Sequence, residues 1–194
     1  MIQKPNQKTV SLLLRLVIGM VCIGICLSLA IPYSLSIRNR RHERVVSAMS
    51  SLVTGEGVPE TATYNPDIDG PHPIVLLWAD GSDHVWNWEL PPNWFPTSPD
   101  KTELVALLNY EQPVAVETCI YQLTTVTRYR RDLGVIVREA RTGRILTNST
   151  LRGDEPMRCP ESLPVYQTRI DGPHVALESV VKWLCPVVQP GNCP

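Results

Sequence analysis

From Leu16 to Ile37 the sequence lacks charge over 22 consecutive residues, and across its whole length it lacks the common catalytic signatures. There is no Gly-x-Ser-x-Gly elbow, no His-Glu-x-x-His helix, no Walker phosphate loop and no dinucleotide fingerprint, which argues against those enzyme classes. No Cys-x-x-Cys pair supports a zinc site either. Bases are scarce in the middle of the chain: Val45 to Cys119 holds one, Lys101, against 11 acids. Without a basic stripe interleaved with aromatics, no nucleic-acid partner is expected.

At the α-helical rise, an uncharged run of that length extends roughly 33 Å, about the thickness of the hydrocarbon core of a bilayer. Residues 16–37 are therefore expected to form a transmembrane helix whose partner is membrane lipid. Lys4, Lys8 and Arg15 precede the run and Arg38, Arg40, Arg41 and Arg44 follow it, so flanking charge leaves the orientation open. Cysteines decide it. Four of the six, Cys119, Cys159, Cys185 and Cys193, lie beyond the run, an even number that suits an oxidising compartment. The amino terminus is expected inside and the carboxy-terminal domain outside. The alternative is a signal peptide cleaved near Ala30, with secretion of the rest; continuation of the apolar run to Ile37 favours the anchor.

Beyond Arg44 the chain carries 11 bases against 18 acids, so the outer part is acidic with a net charge of −7. The expected organisation is a basic leader at 1–15, the span at 16–37, a stalk and proline-rich linker at 38–73, and an extracytoplasmic domain at 74–194. The stalk reading rests on Val45, Val46, Met49, Leu52 and Val53 at helical spacing, followed by Gly55, Gly57 and four prolines.

Within the domain, Ile74 to Trp78 and Leu104 to Leu108 read as buried strands, and Pro113 to Tyr121 as an alternating one. Alternation resumes from Tyr129, turns at Arg141-Thr142-Gly143 and returns over Ile145 to Leu151, which predicts a β-hairpin decorated by Arg128, Arg130, Arg131, Arg138, Arg141 and Arg144, several of which share a solvated face. Leu177, Val180, Val181 and Leu184 mark one face of a helix that Pro186 should stop. The fold class expected is α+β: a single transmembrane helix, then a small, mainly antiparallel β domain with a carboxy-terminal helix.

Four cysteines permit three pairings; Cys119 with Cys159 and Cys185 with Cys193 are the pairings favoured here, the second tying the tail back to the helix end. One short motif repeats: Ile68-Asp69-Gly70-Pro71-His72 and Ile170-Asp171-Gly172-Pro173-His174. Turn chemistry accounts for it, two Asp-Gly-Pro turns leading into two elements. The chemical alternative gathers His72, His174, Asp69 and Asp171 as a divalent-metal cluster, the right ligand types without a spacing rule. No catalytic residue, cofactor or metal is otherwise expected.

The stretch Thr127-Arg128-Tyr129-Arg130-Arg131-Asp132-Leu133, with Arg138-Glu139-Ala140-Arg141-Thr142-Gly143 and the later Gly153-x-x-Pro156-x-x-Cys159-Pro160, resembles uncharacterised, membrane-anchored envelope domains of bacteria. The resemblance implies a compact β-rich domain at the envelope and transfers no activity. The function expected is therefore an extracytoplasmic binding or scaffold module, or an accessory subunit of a membrane or cell-envelope complex, with a protein partner. Its rival is an envelope metal-dependent hydrolase using the two Asp-Gly-Pro-His loops.

Overall fold

The structure, a computed structural model, describes residues 36–110, 113–161, 168–191 and 193. No helix among these residues is long and apolar enough to cross a membrane. All of the run from Leu16 except Ser36 and Ile37 lies outside them, as does the Ala30 site. The chain divides into two compact units, Met1–Glu43 and Arg44–Pro194.

In the larger unit, two apolar runs make the centre of a four-stranded sheet. Ile74–Trp78 (β1) pairs in parallel with Leu104–Tyr110 (β2), which pairs antiparallel with Leu133–Glu139 (β5), itself antiparallel to Ile145–Leu151 (β6). β1 and β2 read as unbroken apolar runs because both of their faces are covered. On one face Ile74, Leu76, Leu104, Ala106 and Leu108 pack with Val135 and Val137 beneath the carboxy-terminal helix, α2 (Leu177–Val188), through Val180, Leu184 and Val188. On the other face Val75, Leu77, Val105 and Leu107 meet Val45, Val46, Met49 and Leu52 from the helical residues 36–49 (α1) and the short turn of helix after them. Each of the buried Val, Leu, Ile and Met side chains among them stabilises the fold by roughly 1.5–3 kcal/mol relative to exposure.

The folded unit thus starts at Arg44, earlier than the domain start expected at residue 74. The amphipathic stripe read as a stalk is the cover of a sheet face: its spacing was legible, but not the surface that it meets. Its end is as expected, with Gly55 at φ +90°. Gly57 and Gly143 are needed beyond it, because a Cβ on either would lie within 2.4 Å of backbone where the loop crosses the β5–β6 turn.

Helix α2 does not stop at Pro186. It continues to Val188, which is buried, and the Val188 carbonyl accepts from the His72 N–H at 2.6 Å. Packing and this bond hold the last turn against the lost helical donor.

A second sheet stands on Val114–Ile120 (β3), Thr125–Arg130 (β4) and Arg169–Asp171 (β7), with β4 antiparallel to β3 and parallel to β7. Its buried cluster is small: Cys119, Val126 and Ile170, with Tyr121 and Cys159 against them. Covalent and polar ties supplement it. Cys119 and Cys159 form a disulfide, as do Cys185 and Cys193. Arg128 is buried, so it is not among the arginines on a solvated face; it pairs with Glu117 and donates to the carbonyls of Pro156 and Met157, strapping residues 153–160 along the sheet. The architecture is α+β, mainly antiparallel, with a carboxy-terminal helix.

Candidate functional site

The register of the large sheet builds one cleft. Val45, Val46, Met49 and Leu52 cover β1 and β2, whereas the same face of β5 and β6 continues past that cover. Across three strands lie Asn109, Gly134 and Thr150 in one row and Leu107, Ile136 and Asn148 in the next. Gly134 contributes no side chain to the middle of its row. The result is an open cleft of about 450 Å³ whose wall includes Val53 and Arg138. Among the described residues, Arg138 is the one charged residue of its lining. One guanidinium nitrogen of Arg138 donates to the Gly143 carbonyl at 2.8 Å, and its Nε is buried with no hydrogen-bond partner. A guanidinium beside the side-chain amides of Asn109 and Asn148 and the Thr150 hydroxyl suits a carboxylate or another oxygen-rich group.

The repeated Asp-Gly-Pro-His segments do different things. His72 is buried, its Nδ1 lies 2.6 Å from Glu103 Oε2, and its ring meets Tyr64 edge-on at 4.8 Å. Burial, and then the charge of Glu103, raises the Tyr64 hydroxyl above its ordinary range. His174 is exposed, with its ring 4.5 Å from that of Tyr110. Glu103 immediately precedes β2 and Tyr110 ends it, so the partners of the two histidines are separated by roughly 20 Å of extended chain. Asp69 is exposed in the turn before β1. Asp171 belongs to β7, where Arg169 and then Arg131 hold its carboxyl below the usual range. The structure therefore does not bring His72, His174, Asp69 and Asp171 together, and no group of three or more potential metal-binding side chains occurs among the described residues.

A row of rings lies against the core on the α2 side. Trp86, His84, Trp78 and Tyr110 follow one another at centroid distances of 4.4, 4.2 and 5.3 Å, and His174 closes the row. His84 is the unusual member. It is buried, its Nδ1 accepts from the Trp86 N–H at 3.2 Å, and desolvation pushes its pKa down to about 4 against a smaller opposing pull from Asp83. The neutral ring caps a short helical turn between two tryptophans. Trp94 is buried and donates to Gln189 Oε1 at 3.0 Å. Trp94 thus covers the core, whereas Trp88 is exposed.

Sequence reasoning missed the cleft because its groups come from three strands and are neighbours only through register. No protein-family model, curated protein or solved structure matches this chain.

Proposed function

We propose that this protein is a membrane-anchored extracytoplasmic binding or scaffold module, an accessory subunit of an envelope or membrane complex, whose cleft receives a segment of a protein partner. The observation that carries the reading is the cleft itself. Its lining offers one guanidinium, the side-chain amides of Asn109 and Asn148 and the hydroxyl of Thr150, groups that hold a chain segment by hydrogen bonds. A carboxylate of the partner meets Arg138, and the apolar walls at Val53, Leu107 and Ile136 take its neighbours. Both disulfides support the oxidising compartment, and the uncharged Leu16 to Ile37 run supports the anchor.

The test is capture of partners by the intact chain from solubilised envelope membranes, with Thr150→Trp as the comparison. Thr150 is exposed on β6, so the indole fills the cleft without entering the core. A protein retained by the wild type and lost with Thr150→Trp is the expected result. Equal capture by both, or a wild type that retains nothing, overturns the reading.

A further inference from the structure

The β3–β4 hairpin breaks a local rule. Tyr121 N–H bonds to the Thr124 carbonyl at 2.9 Å, which closes a two-residue loop of Gln122 and Leu123. Such loops normally take glycine, asparagine or aspartate. Here the apex carries Leu123, 98% exposed, and the strand below it ends in Ile120, 83% exposed. Neither side chain contributes to a core, and an apolar choice without a folded-state gain points to function. The ten residues Thr118 to Thr127 carry no charge, in a part of the chain whose net charge is −7 beyond Arg44.

The tip is also held firm. The Cys119–Cys159 disulfide and the Tyr121 hydroxyl, which donates to the Pro160 carbonyl at 2.7 Å, fasten the 153–160 strap to the base of the hairpin. That strap adds Met157, 79% exposed, and the exposed base Arg158. Isolated apolar side chains on a braced, uncharged hairpin form a wedge, where a protein interface has a broad apolar centre.

We propose that the β3–β4 hairpin dips into a lipid surface, with Ile120 and Leu123 entering the interfacial region and Arg158 facing the headgroups. This inference rests on the membrane-anchored reading above, since the apolar run before Ser36 is what keeps a bilayer within reach. Charge selects the tip. Val45 to Cys119 holds 11 acids against one base, whereas Ile120 to Pro194 holds ten bases against seven acids, so the uncharged hairpin beside Arg158 belongs to the half that anionic headgroups attract.

The experiment uses the full chain, reconstituted in vesicles of phosphatidylcholine and phosphatidylglycerol. In a Cys22→Ser, Cys26→Ser background, an environment-sensitive fluorophore is placed on Leu123→Cys or, for comparison, on Asn148→Cys in β6. Flotation reads the anchor and the fluorophore reads the tip. The expected result is a chain that floats, a blue-shifted label at 123 that lipid-borne spin labels quench, and an unshifted label at 148. Ile120→Asp should remove the shift at 123 while flotation persists. A floating chain whose label at 123 is neither shifted nor quenched overturns the insertion and leaves the anchor standing. A shift at 123 that disappears when labelled chains are diluted among unlabelled vesicles is a contact between proteins, which also overturns it. A chain that does not float overturns the anchor and this inference with it.

Discussion

The side chain of Asn87 pairs with both backbone polar groups of Leu76, accepting from its N–H at 2.8 Å and donating to its carbonyl at 2.7 Å. The same amide donates to Asp83 at 2.7 Å. β1 has β2 on one side only, and on its other edge Asn87 acts as a one-residue strand. The neighbouring backbone groups are also met from outside the sheet, Ile74 N–H by the Trp94 carbonyl and Trp78 N–H by the Ser82 carbonyl. An edge that would otherwise present unpaired donors and acceptors is thereby closed.

Asn87→Ala should cost about 2–4 kcal/mol, because it strands a donor and an acceptor in a buried strand. Asn87→Asp keeps the acceptor for Leu76 N–H, loses both donated bonds and sets a second carboxylate beside Asp83, so its cost should be no smaller at neutral pH. Denaturant unfolding of the detergent-solubilised chain measures both. Costs below about 0.5 kcal/mol for the alanine variant would show that the edge needs no closure.

Some of this order is visible in the sequence and some is not. β1 and the β5–β6 hairpin follow from apolar runs and alternation, which depend only on neighbours along the chain. The same apolar runs also announced that both sheet faces are covered, but not that Val45, Met49 and Leu52 do the covering. β4 and β7 were less visible: Arg128, buried by its bonds to Glu117, Pro156 and Met157, looks in sequence like a solvated base, and β7 is three residues long. The repeated Asp-Gly-Pro-His motif misled in the opposite way. Identical letters placed Asp69 in an exposed turn and Asp171 in a strand, because the partners of each, not the motif, set the conformation. The cleft depends on Asn109, Gly134 and Thr150 coming into one row, which register alone decides.

His84 makes stability depend on pH. Its folded pKa of about 4 lies below the unfolded value of 6.5. The stability it contributes is therefore fully present above pH 6.5, and it declines as the pH falls through the window down to about 4, where the folded state also takes up the proton. The loss over that window is on the order of 2–3 kcal/mol. His84→Asn keeps an acceptor for the Trp86 N–H and removes the titrating ring, at some cost to packing. The expected outcome is a lower stability at pH 7.5 with a shallower decline towards pH 4 than in the wild type. If the two declines are parallel, His84 is not the titrating group.

The last prediction concerns the strap that braces the β3–β4 hairpin. Asp132 takes a two-pronged pair from Arg130, at 2.7 and 2.9 Å, and accepts from the Gly153 N–H at 3.0 Å. The pair with Arg130 is the leading cause that holds the Asp132 carboxyl below the usual range, so the brace is fully present above the unfolded carboxylate value and is lost as the pH falls through the lower folded one. Gly153 is required by contact as well, since a Cβ there would lie 2.1 Å from the Arg131 carbonyl oxygen. Asp132→Ala and Gly153→Ala should each free the start of the strap, at about 1–3 kcal/mol for the lost buried bond in the first and with a backbone displacement in the second. Because the strap carries Cys159, both variants should make the Cys119–Cys159 disulfide easier to reduce while leaving Cys185–Cys193 unchanged. Graded reduction, alkylation and peptide mass analysis read the two bonds separately. Parallel changes in both bonds would mean that the variants loosen the whole unit, and that Asp132 and Gly153 do not act through the strap.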